Sequence, residues 1–159
     1  MRRSVIVAAA LSLFALQVGL AQSATQVVHF QVHPVNQIAV SGSPQLTVTT
    51  AAAGGAPNSV TSSGNSFSVT TNQTDAKITA SIASPMPAGV TLSVQLDAPA
   101  GALSLGAQPL GPAPVDLVTS ISHVSASGLT LTYRLDATPE AGVIVDGTRV
   151  VTYTITGGA

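Results

Sequence analysis

The chain has 159 residues, of which 45% are hydrophobic, only 7% are charged and none is cysteine. Five Lys and Arg against six Asp and Glu give a formal net charge of −1, and so few cations cannot displace the counterions of a nucleic acid or an anionic lipid surface. A nucleic-acid partner is therefore excluded, and the high hydrophobic share argues against a disordered chain. Stability has to come from packing and strand pairing, since no disulfide can form.

Residues 1–21 have the order of a secretory signal peptide. Arg2 and Arg3 precede an uncharged apolar run at residues 5–16, and Gly19 and Ala21 occupy the two small-residue positions of a cleavage site. The run is shorter than the ~20 residues that span a bilayer, so we expect cleavage after Ala21 and no integral membrane segment afterwards. No cysteine follows the site, which excludes a lipid-anchored lipoprotein. The sequence predicts an exported protein of the periplasm, cell surface or medium, and the lack of disulfides favours a bacterial source.

Residues 22–159 have a suitable length for one domain, and apolar and polar residues alternate along most of them. The first predicted strand covers residues 27–32 and ends before Pro34, which cannot donate a ladder hydrogen bond. Short strands follow around residues 38–40 and 46–48, with a turn at residues 41–44 between them. Residues 51–64 are rich in Gly, Ser and Ala and predict a surface loop.

The second half of the domain continues the alternation at residues 67–71, 78–82 and 92–96, with connections of hairpin length. Residues 97–114 contain four prolines and three glycines, which predicts a crossover or an irregular sheet edge. A strand at 115–121 and a turn at 125–128 follow, and we expect residues 129–135 to pair with residues 151–155 across the loop 137–147. Five side chains should lie in or against the core: Leu131, Tyr133, Val151, Tyr153 and Ile155.

Eight or nine strands of about six residues predict an all-β fold: a single antiparallel β-sandwich of immunoglobulin-like, Greek-key type. The rival architecture, an outer-membrane barrel, needs longer strands and aromatic girdles, whereas Phe, Tyr and Trp make up 3% of the chain. Two stretches, DAKITASIASPMPAGVTLSVQL at residues 75–96 and GLTLTYRLDATPEAGVIVDGTRVVTYTITGG at residues 128–158, resemble segments of uncharacterised bacterial exported β-sandwich proteins. They are less similar to pilin-type and surface-layer modules. The resemblance implies the fold and brings no catalytic or binding residue.

His29 and His33 are the most obvious candidate metal ligands, because imidazole binds transition metals and their even spacing places both on one face of a strand. Four strand residues, however, separate their Cα atoms by roughly 13 Å, too far for both to reach one ion without a bend. A third ligand would have to be His123 or a distant acid. The alternative interpretation is that both histidines are solvent-facing polar positions on an edge strand.

Asp136, Glu140 and Asp146 cluster around the last predicted loop and are candidate calcium ligands, since calcium prefers carboxylate oxygens. Their spacing matches no known calcium loop, and Asp146 followed by Gly147 is equally typical of a tight turn. No nucleophile motif, phosphate loop or carboxylate pair with a sugar-stacking platform is present, so we expect no enzyme activity and no cofactor.

These observations favour an exported structural or adhesive module of the bacterial envelope that acts by protein packing or strand pairing. The alternatives are an exported protein that binds a ligand or a metal and, less favoured, a hydrolase with no recognisable motif. The expected partner is a second copy or another envelope protein, contacted through Val28, Phe30 and Val32. We expect their strand to close its own sheet, because an exposed apolar strand promotes aggregation, and the alternative is that it adds to a neighbour's sheet edge.

Overall fold

The computed structural model describes residues 22–158, and the chain divides into two units, Met1–Val32 and His33–Ala159. Residues 22–32, the described part of the first unit, form no helix or strand, and their side chains are exposed. The signal peptide predicted for residues 1–21 lies outside the described residues, and its boundary stays a prediction. No helix among the described residues has the length and apolar character needed to cross a bilayer.

The described part of the second unit contains ten strands and one short 3-10 helix at Pro139–Ala141. The strands are β1 (Asn36–Ser41), β2 (Val60–Thr61), β3 (Asn65–Thr71), β4 (Ala76–Ile82), β5 (Val90–Leu96), β6 (Leu103–Ser104), β7 (Gln108–Pro109), β8 (Val115–Ile121), β9 (Val124–Ala137) and β10 (Val151–Thr156). Two antiparallel sheets result. One has the order β1-β3-β9-β5-β7, with β2 also paired to β9, and the other has the order β10-β4-β8-β6.

Successive long strands change sheet. The chain crosses between the sheets from β3 to β4, from β4 to β5, from β8 to β9 and from β9 to β10, as Greek-key connections do. The predicted antiparallel β-sandwich is therefore confirmed, with ten strands because several two-residue strands could not be recognised in the sequence. The proline-rich stretch after β5 forms β6 and β7 at the sheet edges, where a proline needs no ladder partner.

The core lies between the two sheets and is made by every second residue of the long strands, because successive side chains of a strand point to opposite faces. β3, β4 and β5 show this alternation most clearly. The buried apolar side chains are Phe67, Val69, Ala76, Ile78, Ala80, Ile82, Leu92, Val94, Leu96, Leu110, Leu117, Val118, Ile121, Leu131 and Tyr133. Val151, Tyr153 and Ile155 pack against them, so all five core positions predicted near the C-terminus are confirmed.

A tyrosine pair joins the two sheets. The hydroxyl of Tyr153 in β10 donates a hydrogen bond of 2.7 Å to the hydroxyl of Tyr133 in β9. Burial raises the pKa of both phenols above the ordinary value, more strongly for Tyr153. The pair therefore stays protonated and hydrogen-bonded over the physiological pH range.

The prediction of a first strand at residues 27–32 is wrong for the single copy. Residues 22–35 carry no strand, and Val28, Phe30 and Val32 are 72%, 87% and 79% exposed. Regular pairing begins only at Asn36, beyond Pro34. The alternation in this segment is real, but no strand among the described residues pairs with it, so the apolar face that was expected to close its own sheet remains exposed.

The predicted partnership of residues 129–135 with residues 151–155 is also wrong. β9 pairs with β3, β5 and β2, whereas β10 pairs with β4 in the opposite sheet. Likewise, β4 and β5 do not form a hairpin, since they lie in different sheets. The connections, 7 and 13 residues long by the strand bounds, are long enough to cross the sandwich rather than return within one sheet.

Three local assignments need correction. Residues 46–48 form no strand, and the loop predicted at residues 51–64 contains β2. The turn predicted at residues 125–128 lies inside β9 instead. Gly128 has a φ of 67°, and the register between β3 and β9 shifts nearby, between Phe67 and Val69. A glycine with positive φ serves a β-bulge as well as a turn, so the residue type alone could not distinguish them.

Candidate functional site

A groove of about 810 Å³ lies at one end of the sandwich, between residues 44–51 and residues 138–149. Met86, Val90 and Leu135 line it between these two stretches. Met86 and Leu135 also pack against the core, so the groove extends down to the hydrophobic interior. Its size lies within the roughly 300–1,000 Å³ range of pockets that bind ligands.

The first wall of the groove, residues 44–51, follows β1 in the chain. Gly42 has a φ of 113°, and a Cβ there would collide with the side chain of Asn65, so only glycine allows the chain to leave β1 in this way. Leu46 and Val48 are half-buried and alternate with exposed residues, as in a strand with one apolar face. Yet residues 44–49 make no backbone hydrogen bond to any other described residue. The first wall therefore has the burial pattern of a strand but lacks a partner.

The second wall is the connection from β9 to β10, and hydrogen bonds fix it at both ends. Thr138 donates its N–H to the carbonyl of Gly89 at 2.7 Å, and Arg149 donates from Nε and Nη2 to the carbonyl of Pro85 at 3.2 and 3.0 Å. Between these anchors, residues 143–147 form no backbone hydrogen bond within the described part of the chain. Val145 lines the groove and is 94% exposed.

Gly89 determines how closely the second wall approaches the sandwich. It has a φ of 73°, and a Cβ there would lie 2.7 Å from Oγ1 of Thr138 and in collision with the backbone of Ala141. A residue with a side chain would push the 3-10 helix away and break the Thr138 hydrogen bond. The position of this wall therefore depends on a glycine in the turn that follows β4.

The three acids proposed as calcium ligands belong to no group of three or more potential metal ligands among the described residues. Asp136 accepts a hydrogen bond from Ser59 at 2.6 Å and pairs with Arg134 at 2.8 Å; the Ser59 hydrogen bond and the Arg134 contacts lower its pKa. Its carboxylate is thus already engaged by a hydroxyl and a guanidinium. Glu140 lies in the 3-10 helix and Asp146 in the second wall, both exposed.

The histidines proposed as metal ligands are likewise not brought together with other ligands. His29 is exposed within residues 22–32, and His33 is exposed at the start of the sandwich unit, where its carbonyl accepts a hydrogen bond from Asn72 Nδ2 at 2.8 Å. His123 lies between β8 and β9, and its N–H donates to the carbonyl of Gln73. The residues described here contain no group of three or more His, Cys, Asp or Glu arranged to hold a metal ion.

Sequence reasoning missed the groove because each wall was assigned to an ordinary element. The first wall was predicted as a paired strand, and the second as a polar hairpin loop. One signal was present: Val143, Ile144 and Val145 form an apolar run within a supposed solvent-exposed loop. The structure leaves Val143 and Val145 almost fully exposed, and an apolar run on a loop surface is typical of an interaction site.

The fold and the groove together define an antiparallel β-sandwich with two unpaired chain segments at one end and an exposed apolar segment at its N-terminus. Comparison with known proteins adds no relative, since no family model and no curated protein matches this chain.

Proposed function

We propose that this chain is an exported structural or adhesive module of the bacterial envelope that binds protein partners by pairing its N-terminal segment, residues 22–32, with a partner's strand. One observation carries the proposal: Val28, Phe30 and Val32 alternate along this segment and are largely exposed. Exposed apolar residues at strand spacing promote aggregation when nothing covers them. A natural protein that keeps such residues exposed therefore uses them as an interaction surface.

Composition supports pairing over other modes of binding. Residues 22–32 contain no Asp, Glu, Lys or Arg, so pairing them buries none of these ionic side chains. The pairing would instead satisfy the backbone groups, with alternate side chains filling apolar positions in the partner. The signal peptide predicted for residues 1–21 would place the chain in the compartment where such assemblies form.

The test compares the full chain with two variants of it, each as delivered by an exporting bacterium. The first variant replaces Val28, Phe30 and Val32 with serine, and its matched control replaces His29 and Gln31, the polar positions between them, with serine. We expect the wild type and the control to associate with rising concentration in sedimentation velocity, and the first variant to remain monomeric.

A photo-crosslinking residue at position 30 extends the test to the source cell, where other envelope proteins are available as partners. We expect a discrete protein adduct from position 30 that disappears when Val28 and Val32 are also replaced by serine. A crosslinker at Gln95, which is exposed on the outer face of β5, should give none. Identical sedimentation of all three chains together with no adduct from position 30 would refute the proposal.

A further inference from the structure

Both walls of the groove offer free backbone groups. Residues 44–49 and residues 143–147 form no backbone hydrogen bond within the described chain, and Leu46, Val48 and Val145 line the space between them. An incoming extended segment could therefore gain main-chain hydrogen bonds and bury alternate side chains at once, which is how β-strand addition achieves both affinity and specificity.

The N-terminal segment matches these requirements. In an extended conformation its Val28, Phe30 and Val32 share one face. Its residues form no strand within the described part of the chain, and they include no Asp, Glu, Lys or Arg. The groove combines apolar floor residues with walls whose backbone is free. The segment can therefore supply the backbone partner and the apolar side chains that the groove can accommodate.

The connection from the segment to β1 is short compared with the length of β9. Asn36, where the segment joins the sandwich, lies across from Thr71, which pairs with Val124 at the start of β9. Leu135 and Ala137, at the other end of β9, line the groove, and the eleven residues from Val124 to Leu135 span about 35 Å at strand spacing. The six residue steps from Phe30 to Asn36 reach at most about 20 Å.

We infer that residues 27–32 of one copy bind in the groove of a second copy of this chain, between its residues 44–49 and 143–147. The inference rests on the proposed function and adds the partner and the acceptor site. Because the donor segment leaves one end of β9 and the acceptor groove lies at the other, the contact joins two different surfaces and leaves one of each free. Such a head-to-tail contact can extend into an open chain or close into a ring, and two copies that exchange their segments reciprocally form a dimer.

The first experiment blocks the acceptor without disturbing the fold. Val145→Glu places a charge in the groove, whereas Val143→Glu places the same charge in the same loop, outside the groove lining. The two positions are 94% and 93% exposed, so neither variant should affect folding, and a thermal melt checks this. We expect V145E to weaken self-association by about tenfold or more, and V143E to sediment like the wild type.

The second experiment uses the absence of cysteine to identify the contact directly. A full chain carrying Phe30→Cys is mixed under mild oxidation with one carrying Val48→Cys, and the linked peptides are identified by mass spectrometry. The control partner carries Ser125→Cys, an exposed position at the start of β9. We expect a disulfide between positions 30 and 48 and none between positions 30 and 125.

The outcomes separate this inference from the proposed function. If serine at positions 28, 30 and 32 abolishes association while V145E does not, and position 30 links elsewhere, the segment is a binding element but the groove is not its acceptor. Adducts of position 30 only with a different protein would also overturn the inference and retain the proposed function. Association that depends on neither the segment nor the groove would overturn both.

Discussion

The hydroxyl pair that joins the two sheets should contribute to stability as a unit. Tyr153→Phe removes the donor and leaves the Tyr133 hydroxyl, in a residue only 8% exposed, with no partner. An unsatisfied buried polar group costs about 1–3 kcal/mol. Tyr133→Phe leaves the hydroxyl of Tyr153 without its acceptor instead, and because burial also raises the pKa of this phenol, we expect a loss of the same size, about 1–3 kcal/mol.

The double variant tests whether these losses share one cause. With both hydroxyls replaced by Phe, neither side is left unsatisfied, so we expect a loss no larger than the larger single loss and a coupling energy of about 1 kcal/mol. Urea unfolding of the four chains measures it, with the slope of the transition checked for constancy. A double variant whose loss equals the sum of the two single losses would show that the hydroxyls do not interact and that the reasoning is wrong.

The same pair predicts an alkaline loss of stability. Burial raises the pKa of both tyrosines in the folded state above 10, the ordinary value, so above pH 10 the unfolded chain releases protons that the folded chain keeps. The contribution of the two tyrosines to the free energy of unfolding is therefore fully present below pH 10. Above pH 10 it falls by about 1.4 kcal/mol per pH unit for each tyrosine that is still protonated in the folded state. Tyr153→Phe removes one of these groups and should make the decline between pH 10 and 12 shallower; an unchanged decline would contradict this assignment.

Three further predictions concern the core, the groove and processing. Phe67→Ala should lower the free energy of unfolding by about 3–5 kcal/mol because Phe67 is 1% exposed, and a loss under about 1 kcal/mol in urea melts would contradict its central position. Gly89→Ala should destabilise the fold more than Gly106→Ala, because both glycines have a φ of 73° but only Gly89 lacks space for a Cβ; equal losses would show that the contact with the second wall is unimportant. Intact-mass measurement of the exported chain should show Gln22 as its first residue, whereas a form that retains Leu13 would contradict the signal peptide.

Much of the fold could be predicted because strand alternation is a local property. β3, β4 and β5 bury the residues that their sequence pattern indicates, since a strand with one face toward the core has only one favourable register. Strand partnership is not local. Nothing in residues 138–150 distinguishes a return within one sheet from a crossing to the other, so the sequence supported the wrong pairing of β9 with β10.

The candidate site was harder to predict for a related reason. The alternation of Val28, Phe30 and Val32 is the same whether the segment pairs within its own copy or with another protein. The groove depends on hydrogen bonds that residues 44–49 and 143–147 lack within the described part of the chain, and an absent partner leaves no mark on the sequence. Only the topology shows that Asn36, which follows the segment, and Leu135, which lines the groove, lie level with opposite ends of β9.

The pairing of β1 with β3 also determines how the subunit would respond to mechanical tension. The two strands are antiparallel and in register over six residue pairs, from Asn36 opposite Thr71 to Ser41 opposite Ser66. Tension between residue 36 and the far end of the sandwich acts along β1, whereas the hydrogen bonds lie perpendicular to it. The bonds are then sheared together instead of being unzipped one after another, so β1 is oriented to resist tension applied along its own direction.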